Sequence, residues 1–126
     1  MEGFDFVHRE TVRFRDVDSM GHVNNAVFLT YLEDARIAFL LPFGAEVASM
    51  ILARVEIDFR APLHVGDEIE VGVRPSTVGT KSFELEYAVR SRETVAAEAK
   101  TVIVSYDYET GRSVEVPDSW REALAA

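Results

Sequence analysis

Asn25-Ala26-Val27-Phe28-Leu29-Thr30-Tyr31-Leu32-Glu33-Asp34-Ala35-Arg36-Ile37-Ala38-Phe39-Leu40-Leu41 is the stretch on which the fold turns. Phe28, Tyr31, Leu32, Ala35 and Phe39 recur at three- and four-residue steps, the spacing of one helix face. Val27, Leu29, Ala38 and Leu40 widen that face. Only Thr30, Glu33, Asp34 and Arg36 are polar after Asn25, too few for a helix lying on a surface, so an embedded helix is expected. Asn24 or Asn25 can cap its start by accepting a backbone N–H bond, and Pro42 with Gly44 supplies the stop.

Outward from the helix the hydrophobic period changes to two, the mark of strands with one dry face. Val12 and Phe14 alternate with Thr11, Arg13 and Arg15, and Val55, Ile57 and Phe59 with Arg54, Glu56, Asp58 and Arg60. Ile69, Val71 and Val73 follow, then Phe83, Leu85, Tyr87 and Val89. The run from Thr94 to Tyr108 is apolar on both faces, which suits a central strand covered twice or a strand at a subunit contact. Turn residues separate the runs at Pro62 to Asp67, Pro75 to Thr80 and Thr110 to Arg112. Pro117 and Asp118 open a short helical tail through Trp120 and Leu124. Short links make successive strands antiparallel neighbours. One nearly all-apolar helix and about five half-dry strands are best buried as an α+β layer in which the sheet curls around the helix. The long last strand is then a place for a second subunit to attach, and at least a dimer is expected.

A length of 126 residues and a mass of 14.1 kDa fit one domain, taken as residues 1–126. A 48% hydrophobic and 28% charged composition is that of an ordinary globule, not of a disordered chain. The net charge of −9 is spread evenly and argues against a nucleic-acid partner. With no cysteine there is no disulfide, thiol nucleophile or cysteine zinc site. The longest apolar run, Ile37 to Leu41, is far short of a membrane span, and Met1 to Glu10 has no h-region. No membrane association and a cytoplasmic location are therefore expected.

Chemistry concentrates in Arg13-Phe14-Arg15-Asp16-Val17-Asp18-Ser19-Met20-Gly21-His22-Val23-Asn24-Asn25. Asp16 and Asp18 would point the same way from an extended backbone. Gly21 permits a sharp turn before His22. The helix start beyond it offers free N–H groups and the positive end of the macrodipole, which can hold an oxyanion. A carboxylate beside such a donor is a minimal hydrolytic site that needs neither metal nor cysteine. The same residue types also serve any loop and N-cap, and both acids can answer Arg13 and Arg15 across a turn. Asp16, Asp18 and His22 make only a weak metal set, lacking a further nearby histidine, so no metal site is expected.

The block Arg15-Asp16-Val17-Asp18-Ser19-Met20-Gly21-His22-Val23-Asn24-Asn25-Ala26, followed by Phe28, Tyr31, Leu32, Glu33, Ala35 and Arg36, resembles the hot-dog-fold acyl-CoA thioesterases of the 4-hydroxybenzoyl-CoA thioesterase-like superfamily. Glu56-Ile57-Asp58-Phe59, Pro62-Leu63-His64-Val65-Gly66-Asp67 and Gly79-Thr80-Lys81-Ser82-Phe83 extend the likeness over about Phe6 to Tyr108. The resemblance implies a five-stranded antiparallel sheet around one long helix. It also implies subunits joined edge to edge in a homodimer or homotetramer, with the active site at the subunit interface. The family's catalytic carboxylate falls on Asp18, and its carbonyl-polarising backbone amide falls near Asn25. Asp18 either attacks the carbonyl or draws a proton from water; His22 can orient Asp18 or the water. His22-Val23-Asn24-Asn25 looks more like the fatty-acyl members, although the asparagine that takes part in the plant acyl-carrier-protein thioesterases, two residues before the histidine, is Met20 here.

Hydrolysis of a fatty acyl-CoA to free acid and CoA is the function so implied, with no cofactor beyond the coenzyme A of the substrate. A −9 protein needs a local basic patch to receive CoA phosphates. Arg60 and the turn carrying Lys81 and Ser82 are the candidates. His8 and His64 read as surface residues. The alternatives are a non-catalytic hot-dog module that binds acyl-CoA or acyl-carrier protein, and a hydratase on the same scaffold, against which the Asp18 to Asn25 block speaks.

Overall fold

The computed structural model describes residues 1–45 and 49–125. Its order is β1 (Phe6–Thr11), α1 (Asn25–Leu40), β2 (Met50–Phe59), β3 (Glu68–Val78), β4 (Ser82–Ser91), β5 (Thr94–Asp107), β6 (Arg112–Ser113) and α2 (Asp118–Leu124). The strands form one antiparallel sheet in the order β1-β3-β4-β5-β2, with β6 added to β5 as a short hairpin. The sheet curls around α1 in the hot-dog arrangement. Alternation in β3 and β4 does what the sequence asks of it: Ile69, Val71, Val73, Phe83, Leu85, Tyr87 and Val89 are all buried. They pack with Phe28, Tyr31, Leu32 and Ala35 of the helix in one core cluster. Trp120 of the expected helical tail joins that cluster, edge-on to Phe83.

Three expectations change. The first strand lies earlier than the Val12 and Phe14 alternation suggested: β1 ends at Thr11, and Phe14–Asp16 is a 3-10 turn. The cause is local, since the Asp16 carboxylate accepts the Arg13 N–H and folds the chain back, leaving Phe14 83% exposed. The β5 strand is interior, paired with β4 on one side and β2 on the other, so it has no free edge for a second subunit. The two free edges of the sheet belong to β1 and β2. Finally, α1 is embedded except for a stripe of Asn25, Ala26, Leu29, Thr30 and Glu33, which is exposed in the single chain.

The first residues fold over the outer face of the sheet. Phe4 covers Gly72 of β3, the Arg74 guanidinium lies 4.6 Å from the Phe4 ring centroid, and Arg74 Nη1 donates to Gly3 O at 3.0 Å. A Cβ on Gly72 would meet Phe4 Cγ at 2.5 Å and Met1 sulfur at 2.8 Å. Gly72→Ala is therefore expected to lift this segment and cost about 1 to 3 kcal/mol. Urea melts of Gly72→Ala, Phe4→Ala and the double variant check this, with the double costing less than the two singles together.

Candidate functional site

The strand pairing defines two ends of the molecule. Thr11 pairs with Glu68 and Phe59 with Ala97, so the link after β1, the start of α1, the β2–β3 connection and the β4–β5 turn share one end. At this end the segment Asp16 to Asn24 forms a small hairpin. Val17 bridges Val23, Asp18 N–H donates to His22 O at 2.8 Å, and Asn24 N–H donates to Asp16 O at 3.0 Å. Gly21 closes the turn at φ 81°, a conformation that suits glycine. Asp18 lies two residues from the Asp16–Asn24 rung, about 7 Å at the rise of a strand.

The Asp18 side chain is exposed, and its Oδ1 accepts Met20 N–H at 2.8 Å and His22 N–H at 3.4 Å. Its Oδ2 makes no hydrogen bond among the described residues. Asn24 is the N-cap: its Oδ1 accepts Ala26 N–H at 2.9 Å, and its carbonyl accepts Val27 N–H at 2.8 Å. The Asn25 N–H, first of the helix, makes no hydrogen bond among the described residues. A carboxylate oxygen and a helix N–H, both unspent, thus stand on one hairpin and its cap. Such a pair can bind a carbonyl oxygen and activate or supply a nucleophile.

Asp16 and Asp18 do not share an environment: Val17 between them is extended, but Asp16 closes the 3-10 turn with its side chain buried, whereas Asp18 is exposed. Asp16 is 6% exposed, and its Oδ2 accepts the Tyr31 hydroxyl at 2.8 Å and Arg13 N–H at 3.0 Å. Burial and the Asp16 charge push the Tyr31 phenol up, so it remains a donor. Asp16 does answer Arg13, through the backbone and with Arg13 Nε 4.0 Å away.

Of the other expected residues, His22 packs edge-on against His64, with ring centroids 5.1 Å apart. His64 comes from the β2–β3 connection, where Leu63 O accepts Val23 N–H at 2.9 Å. Its Nδ1 lies 3.7 Å from Asp67 Oδ2. Only the tertiary contact reveals His64, which reads as a plain surface residue in the sequence. Arg60 is at the same end but is engaged by Glu98 at 2.6 Å, with Asp58 4.0 Å away. Lys81 and Ser82 are at the opposite end: Lys81 O accepts Ser105 N–H, and neighbouring Gly79 O accepts from Arg121 of α2. A helix of 16 residues, about 24 Å long, separates this turn from Asn25. A single chain pairs Asp18 with His22 across the hairpin and sets Asn25 just after its closing rung, and it leaves Lys81 and Ser82 apart from them.

Behind the site the Glu10 carboxyl of β1 faces the Asp34 carboxyl of α1, and among the described residues its buried Oε2 has no hydrogen-bond partner. Burial first, then the neighbouring Asp34 carboxyl, push the Glu10 carboxyl up to about 7, with Asp16 adding to the rise and Arg13 opposing it. His8 Nε2 is 3.4 Å from Glu10 Oε2. A raised folded-state value means the unfolded chain releases this proton first. The contribution is full below the ordinary carboxylate value and is lost as pH rises through about 7. Glu10→Gln is therefore expected to be more stable than the parent at pH 8, by about 1 to 2 kcal/mol after allowing for solvent screening. Thermal melts at pH 5 and pH 8 check this; an equal gap at both would contradict it.

Residues 12–124 match the model of a family described as the thioesterase-like superfamily. A 1,4-dihydroxy-2-naphthoyl-CoA hydrolase of Nostoc punctiforme is 31% identical over 121 residues, 90% of this chain and 82% of that protein. A thioesterase from Thermus thermophilus, solved with coenzyme A and Zn, superposes with a TM-score of 0.90 at 39% identity, covering 98% of this chain and 94% of that one. A 1,4-dihydroxy-2-naphthoyl-CoA thioesterase from Synechocystis shares the fold, with a TM-score of 0.85 at 24% identity over 95% of each chain.

Proposed function

Because the chain belongs to the thioesterase-like superfamily, we propose that it hydrolyses the thioester of an acyl-CoA to free acid and CoA. The observation that supports this reading is that one hairpin and its cap carry both an Asp18 oxygen and an Asn25 N–H with no hydrogen bond among the described residues. The thioester carbonyl accepts the Asn25 N–H, which stabilises the negative oxygen as the carbon becomes tetrahedral. Asp18 either removes a proton from the attacking water or attacks the carbon itself, giving an anhydride that water then opens. In both routes the C–S bond breaks and the CoA thiolate leaves to take up a proton. His22, held by His64, orients Asp18 or the water. The route needs no metal or cofactor.

A homodimer or homotetramer with the site at the subunit interface fits this chemistry. The free edge of β2, ten residues long, and the exposed stripe of α1 support it. A second copy also supplies a way for Lys81 and Ser82 to approach CoA phosphates, with Arg60 nearer the reacting end. A fatty acyl group is the first reading of the substrate, from the His22 to Asn25 block. An aromatic acyl group is the second, favoured by the relatives named for 1,4-dihydroxy-2-naphthoyl-CoA. A panel of aliphatic and aromatic acyl-CoAs with thiol detection separates them. Thermal stabilisation by acyl-CoA with no thiol released would instead favour the non-catalytic binding module.

A further inference from the structure

Two carboxylates in the loop have different fates, and only one is free for substrate. Asp16 spends its buried Oδ2 on the Tyr31 hydroxyl and the Arg13 N–H, while its carbonyl accepts Asn24 N–H at 3.0 Å. Tyr31 is 1% exposed and sits six residues into α1, on the face turned to the core. The contacts close a triangle. One side is the hydrogen bond from helix to Asp16, the second is the helix from Tyr31 back to Asn25, and the third is the Asn24–Asp16 rung. Without the first side, the Asp16 end of the hairpin would be free to shift against the start of α1, the rest being held by the Val23–Leu63 bond, the burial of Val23 and the His22–His64 contact. Asp18 moves with any such shift, whereas the Asn25 N–H moves with the helix.

We propose that Asp16 and Tyr31 are positioning residues: their buried hydrogen bond holds the Asp18 carboxylate in register with the Asn25 amide, and neither touches the substrate. The inference rests on the thioesterase reading for its consequence, though its geometry stands without it. A displacement of about 1 Å at a reacting group can cost about a hundredfold in rate, so a positional defect shows in kcat while ground-state binding is kept. A residue that merely fills the core would lower stability throughout and leave the turnover of the folded fraction alone.

Tyr31→Phe keeps the ring and removes the strut. The expected result is a fall in kcat of roughly tenfold or more with KM changed less than about twofold. Asp16→Ala is expected to fall at least as far, and Asp16→Asn, whose amide oxygen can still accept both bonds, to recover most of that loss. Amide hydrogen exchange reads the geometry directly. In Tyr31→Phe the Met20, His22 and Asn24 amides are expected to exchange faster, with Leu85 and Ile103 of the sheet unchanged. Wild-type kcat in Tyr31→Phe, or loop exchange that is unaltered or quickens only in step with the sheet, would overturn the proposal. If the parent protein releases no thiol from any acyl-CoA, the thioesterase reading fails while the exchange experiment still decides the strut.

Discussion

Asp18→Asn is expected to lose roughly a hundred- to ten-thousandfold in kcat, the range of a general base, and more if Asp18 is the nucleophile. The substitution is a clean one here. Asn keeps an oxygen that can accept the Met20 and His22 N–H bonds now made by Oδ1. The exposed position adds no packing cost, so the melting temperature should stay within about 2 °C of the parent. Steady-state kinetics with thiol detection, beside a thermal melt, measures both. Near-normal turnover in this variant would remove Asp18 from the mechanism, since asparagine neither takes a proton nor attacks at neutral pH.

Asn25→Pro is expected to be nearly as damaging, by the opposite means. Proline deletes the N–H that is assigned to the oxyanion, a change worth roughly a hundred- to thousandfold in kcat. The backbone is ready for it. Asn25 is the first helical residue, where proline is favoured, and Asn24 at φ −58° and ψ 134° already has the extended conformation that precedes proline. The fold should therefore be intact. Asn25→Ala is the control: it keeps the N–H and loses only an exposed side chain, so its kcat should remain close to that of the parent. Equal losses in both variants would assign the work to the side chain instead.

Much of this architecture is legible in the chain because it is written in short-range patterns. Phe28, Tyr31, Leu32 and Ala35 mark the buried helix face by spacing alone, and the alternation in β3 and β4 is regular enough to fix their dry side. The candidate loop is legible for a related reason: Asp18, His22 and Asn25 lie within eight residues, so no tertiary knowledge is needed to group them. What the pattern does not carry is the long-range pairing. Val12 and Phe14 alternate like a strand, but the Asp16 side chain competes for the Arg13 N–H and turns the chain before Phe14. The same competition buries Asp16 and leaves Asp18 out. Lys81 and Ser82 sit in a turn whose end of the sheet is set by β3 pairing with β1 and β4. His64 meets His22 only because Leu63 binds Val23 across the connection. The interior place of β5 is one of the two readings its apolar faces allow, and only its pairing with the distant β2 decides between them.

The hairpin from Asp16 to Asn24 is closed by main-chain bonds at Asp18, His22, Asn24 and Asp16, while Ser19 and Met20 project from its tip, Met20 78% exposed. Bonds between main-chain atoms are indifferent to what the tip residues are. The backbone frame that carries Asp18 is thereby insulated from change at its rim, so replacing Ser19 or Met20 can alter the surface beside the carboxylate without rebuilding the hairpin beneath it.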